Sequence, residues 1–119
     1  MISISKVNLK YKIISDEEKK EEKLSGIFNN GRIVYKEDTN TKMTIDLKKE
    51  SLERENNDIL IKYDFSNEEA TIYLKDLNKT LTPKLEVKSK EITDNSMNIM
   101  FYIEDNIISY YVEVIKWIS

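Results

Sequence analysis

The chain of 119 residues contains no cysteine and no histidine. Without cysteine it has no disulfides, thiolate zinc sites or thiol nucleophiles, and without histidine it lacks the commonest proton-transfer group. A haem held by histidine is excluded for the same reason. A metal site would need carboxylate and carbonyl oxygens, which suit calcium or magnesium. The sequence shows no Asp-rich loop with calcium-site spacing, so we expect no metal and no cofactor.

Long apolar runs are also missing. The longest runs from Ile99 to Ile103, far short of the roughly 20 residues that a transmembrane helix needs. Met1 to Ile4 alternates and lacks the basic start and apolar stretch of a signal peptide. We therefore expect a cytoplasmic protein that does not engage a membrane.

Charge is plentiful but not of one sign. Charged residues make up 34% of the chain, the net charge is −3 and the two signs are interspersed. A nucleic-acid-binding protein usually has a basic footprint, so we expect no nucleic-acid partner. The 39% of hydrophobic residues suffices for a core, and the length suits one domain spanning residues 1–119.

Only two glycines and one proline are present, so most turns must use Asn, Asp and Ser. The clearest turn is Asn29-Asn30-Gly31, which separates two apolar runs in the segment from Gly26 to Leu47. Asn and Gly tolerate the positive φ of tight hairpin turns. The segment therefore predicts a hairpin, and the rest of the chain repeats this unit of strand, polar turn and strand.

Three segments have a pattern that is less clear. Ile2 and Ile4 fall out of phase with the alternation that starts at Val7, which predicts either a bulge near Ser5-Lys6 or a change of partner there. Residues 15–23 fit either a short helix with a Ser15–Glu18 capping box or a charged hairpin; the hairpin is favoured because no apolar residue recurs at helical spacing. The last strand, Ile107 to Ile118, is apolar on both faces, which is typical of two-sided burial, with a dimer contact or a terminal segment covering the second face.

Turn signals recur at a spacing of roughly ten residues, which predicts an all-β barrel or sandwich. Over about residues 7–117 the sequence resembles the YwiB-like family of uncharacterised bacterial proteins. The resemblance is carried by Gly26, Tyr35-x-Glu37, Thr44-x-Asp46, Leu52-x-Arg54, Phe65, Tyr73, Leu85-x-Val87-x-Ser89 and Ile99-x-Phe101-Tyr102. It implies a single antiparallel calycin-like (lipocalin-like) β-barrel of about eight to ten strands, with one short helix at most and no established catalytic residues.

Glu37 and Arg54 are the sharpest candidates for a binding site. Arg54 is one of only two arginines, and each residue ends an alternating set that is otherwise apolar. If these sets face the interior, the guanidinium and the carboxylate meet there and anchor a ligand or close a polar network. The alternatives are an ion pair without a ligand, or two unrelated charges at the rim.

Tyrosines inside a barrel give apolar walls with hydroxyl tips, which suit an amphipathic ligand. The alternative is ordinary core filling, since small barrels pack their interior with side chains. The candidate ligand-binding residues are Tyr35, Glu37, Arg54, Phe65, Tyr73 and Tyr102.

No catalytic constellation is visible. The paired carboxylates, such as Glu68 and Glu69, are adjacent residues in turn segments and point apart, and no nucleophile elbow or phosphate-binding loop is present. We expect a non-enzymatic structural or protein-interaction module, with a homodimer through the strand from Ile107 to Ile118. The alternative is a barrel that binds a small amphipathic or acidic ligand, and an open, unfilled lumen would favour that alternative.

Overall fold

The computed structural model describes residues 4–118, and this part of the chain contains β-strands but no helix. The eleven strands are β1 (Ile4–Ile14), β2 (Lys19–Asn29), β3 (Arg32–Lys36), β4 (Lys42–Asp46), β5 (Ser51–Glu55), β6 (Ile59–Asp64), β7 (Glu69–Leu74), β8 (Lys79–Leu81), β9 (Leu85–Ile92), β10 (Ser96–Ile103) and β11 (Asn106–Trp117). The all-β class is confirmed, but the number of strands exceeds the eight to ten expected. The described residues also include no helix that could cross a membrane.

All strands belong to one antiparallel sheet that curls into a barrel-like shape. Strands that follow one another in sequence are neighbours, except that β11 returns to pair with β1 and that β8 and β9 form the edges. Laid flat, eleven strands would be about 48 Å wide at about 4.8 Å per spacing. The longest dimension of the molecule is 39 Å, so the sheet must curve.

The two edge strands are consecutive in the chain. Residues 82–84 join them, and Lys84 forms an isolated bridge with Glu69 that continues the register between β7 and β8. Pro83 lies in this junction, and since proline has no N–H it interrupts the ladder there. The additional strand thus arises because the chain is divided at Pro83, where the sequence predicted an edge or a strand start.

Three glutamates at turns adopt the left-handed conformation, and each contacts β9 or the residue before it. Their φ angles are 56° for Glu50, 54° for Glu68 and 52° for Glu104. Glu50 pairs with the Lys90 ammonium, Glu68 Oε2 accepts from Val87 N at 2.9 Å, and Glu104 Oε1 accepts from Lys84 N at 3.0 Å. The left-handed conformation costs about 1–2 kcal/mol for a residue other than glycine, and these contacts offset part of that cost.

The first turn confirms the charged hairpin and excludes the short helix. Ser15 N donates to Glu18 O at 2.7 Å, and Glu18 N donates to Ser15 Oγ at 3.2 Å. The serine makes the hydrogen bond of a capping box, but it closes a turn between β1 and β2. No bulge lies at Ser5-Lys6, but the alternative of a change in partners fits, because β1 pairs with β2 from Ile4 and with β11 only from Val7 onward. The register of β1 against β11 shifts between Asn8 and Leu9.

The core lies on the concave face of the sheet, where alternate residues of most strands are buried. It includes Val7, Leu9, Tyr11, Ile33, Ile45, Phe65, Met97, Ile99, Phe101 and Val112. The last strand is buried on one face only, through Tyr110, Val112 and Val114. On its other face Ile107 and Tyr111 are half-buried and Ile115 is nearly half exposed, so no second layer from residues 4–118 covers that face. The expected second burial would come from a dimer contact or a terminal segment.

The hairpin around Asn30-Gly31 forms as predicted, with φ angles of 50° and 84°. Above it, β2 and β3 share only three residue pairs, from Ile27↔Val34 to Asn29↔Arg32. Gly26 stands where these strands part, and a Cβ there would lie 2.7 Å from both Leu9 Cδ2 and Val34 O. The close approach of the two backbones at this point therefore requires glycine.

We predict that Gly26→Ala lowers the free energy of unfolding by about 1–3 kcal/mol, the usual effect of overpacking. Urea unfolding measures it as a lower midpoint with an unchanged slope. Ser25→Ala is the matched control, because Ser25 is the exposed neighbour and such surface substitutions change stability by about 0.5 kcal/mol or less. Equal midpoints for Gly26→Ala and wild type would contradict the argument.

Candidate functional site

A cavity of about 180 Å³ opens inside the barrel at the end that carries the first turn. We call it the lumen cavity. Its apolar wall comes from β1, β4, β5, β6, β10 and β11, through Ile13, Met43, Leu52, Ile61, Phe101 and Ile108. Its polar or partly polar lining residues are Ser15, Glu18, Arg54, Tyr63 and Tyr110. The interior is therefore neither completely filled nor uniformly apolar.

The structure brings Glu37 and Arg54 together, and of the two only Arg54 lines the lumen cavity. Glu37 follows β3 on the face of Ile33 and Tyr35, and Arg54 lies in β5 on the face of Leu52. Arg54 Nη2 donates to Glu37 Oε2 at 3.2 Å. The Glu37 side chain is only 4% exposed, whereas that of Arg54 is 37% exposed. The pair thus consists of a buried carboxylate and a guanidinium that reaches the cavity and solvent.

The second carboxylate oxygen of Glu37 is buried without a hydrogen-bond partner among the described residues. It is the only buried side-chain nitrogen or oxygen in residues 4–118 of which this is true. A buried polar group without a partner costs about 1–3 kcal/mol, and more when it is charged. Glu37 Oε1 is therefore a buried acceptor whose desolvation is uncompensated, and it lies outside the lining of the lumen cavity.

A group of tyrosines lies beside the ion pair. The hydroxyl oxygens of Tyr35 and Tyr110 are 2.6 Å apart, so one donates to the other. Tyr11 stacks on Tyr35 at a centroid distance of 5.0 Å, and its hydroxyl donates to Glu22 Oε2 at 3.1 Å. Burial raises the pKa of Tyr35 and of Tyr110 above the usual tyrosine value. Both hydroxyls therefore stay protonated at neutral pH, and of these two residues only Tyr110 lines the lumen cavity.

The other aromatic candidates divide between core and outer surface. Phe65 is buried against Phe101, with ring centroids 4.9 Å apart, and belongs to the core behind the cavity. Tyr73 lies on the outer face, where its hydroxyl donates to Asn78 Oδ1 at 2.8 Å. Tyr102 also faces outward, with the Lys88 ammonium 5.9 Å from its ring centroid. Neither outer tyrosine reaches the lumen cavity.

Several residues of the cavity wall were not among the candidate site residues. They are Ile13, Met43, Leu52, Ile61, Ile108 and Tyr110. All but Tyr110 are ordinary core residue types, and the alternation groups them with the core without showing which ones border a void. The parity that Tyr110 shares with Val112 and Val114 was the available signal for that residue.

Residues 4–118 include no group of three or more carboxylates arranged to hold a metal ion. In the comparisons with known proteins, no protein-family model, no curated protein and no solved structure matches the chain. The geometry of the lumen cavity is therefore what supports a functional assignment.

We predict that Arg54→Met lowers the free energy of unfolding by about 1–3 kcal/mol, because it leaves the buried Glu37 carboxylate without its partner. Adding Glu37→Gln should restore part of this loss, since the charge is then gone while the side-chain shape is kept. Urea unfolding of wild type, both single variants and the double variant measures the coupling. A single Arg54→Met variant as stable as wild type would show that the ion pair contributes nothing.

We also predict that stability falls as the pH rises above about 10, the pKa of tyrosine in an unfolded chain. The unfolded chain then loses protons that Tyr35 and Tyr110 keep, because burial raises their folded-state pKa. Tyr35→Phe should make this decline shallower by up to about 1.4 kcal/mol per pH unit. Urea midpoints at several alkaline pH values measure it. Tyr102→Phe, on the outer face, should keep the wild-type slope, and equal slopes for all three proteins would refute the assignment.

Proposed function

We propose that this protein is a small-molecule-binding barrel that takes an amphipathic ligand into the lumen cavity and performs no catalysis. The observation that carries the proposal is the lumen cavity itself, an apolar space of about 180 Å³ with the partly exposed Arg54 guanidinium in its wall. An apolar pocket with a few convergent polar groups is the usual form of a ligand site. Arg54 donates to an oxygen of the ligand.

The size of the cavity limits the ligand. A volume of about 180 Å³ corresponds to roughly six waters at about 30 Å³ each. Pockets for drug-sized ligands measure about 300–1,000 Å³. The bound part of the ligand is therefore a small body such as a single ring or short aliphatic chain, and anything larger extends past the first turn into solvent.

We also propose that the fold is calycin-like and that the chain is a cytoplasmic bacterial protein of the YwiB-like family. Support for the fold comes from the up-and-down order of the sheet and from the return of β11 to β1. Support for the family is the sequence resemblance described above. These assignments do not bear on the choice of ligand.

Self-association is a second candidate function. The end of β11 exposes Ile115, Trp117 and Ile118 by about half, at 45%, 48% and 53%. Ile118 N donates to Lys6 O, and Lys6 pairs with Ile27, which is itself 43% exposed. Clustered apolar side chains at a surface favour protein contacts, which agrees with the homodimer expected through the strand from Ile107 to Ile118.

We predict that the purified protein shows extra mass in native mass spectrometry, and that this mass disappears on denaturation. Ile61→Trp should abolish it, because the larger ring fills the cavity that Ile61 lines. Lys62→Trp is the matched control, since the exposed Lys62 lies on the outer face of the same strand and its replacement should leave the extra mass.

A bare wild-type protein that also gains no mass from added small aromatic compounds would contradict the binding function. If that bare protein were a dimer, the same spectrum would support self-association instead. Extra mass that persists in Ile61→Trp would place the ligand somewhere other than the lumen cavity.

A further inference from the structure

We infer that the lumen cavity selects ligands with an uncharged head group that accepts hydrogen bonds, a carbonyl oxygen being the simplest example, and that this head binds between Arg54 and Tyr63. The inference rests on the proposed binding function and specifies its ligand class. It follows from the Tyr63 hydroxyl, which has no hydrogen-bond partner among the described residues, and from the compensation of the Arg54 charge by Glu37.

Strand pairing places Arg54 and Tyr63 next to each other in the lumen. In the ladder of β5 and β6, Arg54 lies opposite Ile61 and Leu52 lies opposite Tyr63, so Arg54 and Tyr63 are diagonal neighbours. Diagonal neighbours lie about 7–8 Å apart on the same face of a sheet, within reach of long side chains. Both residues line the lumen cavity. Burial raises the pKa of Tyr63, and the positive charge of Arg54 partly offsets this rise.

The Tyr63 hydroxyl is unpaired and accessible. It makes no hydrogen bond with any of residues 4–118. Glu37 Oε1 is the only buried side-chain nitrogen or oxygen without a partner in that part of the chain, so the Tyr63 oxygen must have accessible surface. The Tyr63 ring packs against Phe101 and Phe65, at centroid distances of 5.2 Å and 6.1 Å. The core therefore holds the ring and leaves its hydroxyl free for a ligand.

Arg54 supplies further donors beside this hydroxyl. A guanidinium has five N–H groups and accepts nothing, and one of the terminal nitrogens of Arg54 donates to Glu37 Oε2 at 3.2 Å. The side chain is 37% exposed and lines the cavity, so N–H groups remain for a ligand. A carbonyl oxygen has two lone pairs and can accept from Arg54 and Tyr63 at the same time.

The other polar side chains of the lining are already engaged or belong to the first turn. The Tyr110 hydroxyl shares a hydrogen bond with Tyr35. Ser15 Oγ accepts from Glu18 N within the turn. Arg54 and Tyr63 therefore form the part of the lining where a ligand oxygen meets two donors.

The charges around this position determine which head group fits. Glu37 already compensates the Arg54 guanidinium at 3.2 Å, and the lining also contains the carboxylate of Glu18. A carboxylate head would be a second anion on the same guanidinium, and an ammonium head would face the N–H groups of Arg54. A charge without compensation is expensive to remove from water. A carbonyl head accepts both hydrogen bonds without adding a charge.

Four probes of nearly equal size test the inference: acetophenone, benzoate, benzylamine and ethylbenzene. Each has a single ring, which suits a cavity of about 180 Å³. Their dissociation constants are measured by following backbone amide NMR signals of the full chain at neutral pH. We expect acetophenone to bind wild type about tenfold tighter than benzoate or benzylamine, because each charged head loses hydration that the site does not replace. Ethylbenzene measures the contribution of the apolar body alone.

Tyr63→Phe tests the hydroxyl directly. The substitution keeps the ring and its contact with Phe101, and it leaves no protein group of residues 4–118 unpaired, because the hydroxyl has no partner there. We expect acetophenone to bind this variant about two- to tenfold more weakly, the effect of one net hydrogen bond between uncharged groups. Ethylbenzene should keep its wild-type dissociation constant, since it makes no hydrogen bond.

The matched control is Tyr102→Phe. It removes a hydroxyl from the outer face, where the Lys88 ammonium lies 5.9 Å from the Tyr102 ring centroid. Both acetophenone and ethylbenzene should keep their wild-type dissociation constants in this variant. A circular dichroism spectrum and urea unfolding establish that both variants are folded.

The outcomes separate this inference from the binding function. Tightest binding of benzoate or benzylamine to wild type overturns the head-group inference while the binding function stands. The same holds if acetophenone binds Tyr63→Phe as tightly as wild type, or if the substitution weakens ethylbenzene equally, because the hydroxyl then does not bind the head group. No binding of any probe, with ethylbenzene included, overturns both.

Discussion

The pairing of β1 with both β2 and β11 holds the two halves of the sheet together. Each partner follows β1 over most of its length, from Ile4↔Asn29 to Ile14↔Lys19 on one side and from Val7↔Trp117 to Ile14↔Ser109 on the other. Because the first and last strands are neighbours, the meander must curl and enclose an interior. The core, the lumen cavity and the position of the two edge strands, β8 and β9, all depend on the pairing of β1 with β11.

The interior combines two kinds of packing. Behind the lumen cavity, apolar side chains pack against one another, as Phe65 does against Phe101. Near the first turn, the polar groups Tyr35, Tyr110 and Glu37 replace them and are held by hydrogen bonds. A buried carboxylate requires hydrogen-bond partners that apolar packing cannot supply. The buried polar groups of the interior are therefore concentrated at that end of the barrel.

Alternation in the sequence was sufficient to predict the all-β class, and the turn residues predicted the Asn30-Gly31 hairpin. Alternation also placed Glu37 and Arg54 in otherwise apolar sets, but it did not show that these sets face the interior. It did not separate Tyr73 and Tyr102 from the lumen-facing aromatics. Their own sets alternate equally well, and only strand pairing shows which parity lies outside. The exposed end of β11 was missed for a related reason, since apolar side chains on both faces of a strand do not reveal whether a second layer covers them.

The division of the chain at Pro83 was only partly predictable. The proline itself indicated an edge or a strand start. The sequence does not show that β8 would pair with β7 and β9 with β10, so that the two strands form opposite edges of the sheet. The left-handed glutamates had no signal either, because such positions are usually occupied by Gly, Asn or Asp. Only the contacts that Glu50, Glu68 and Glu104 make with the region of β9 and Lys84 account for them.

Those contacts have a consequence for how copies of this chain behave at high concentration. An edge strand with free N–H groups is a template on which another chain can add a strand. At β9 the Val87 N–H is already bound by the Glu68 carboxylate, and the Lys90 ammonium is bound by Glu50. An incoming strand would have to displace a charged acceptor before it could pair with β9. The contacts with Glu68 and Glu50 therefore protect this edge strand from intermolecular sheet growth.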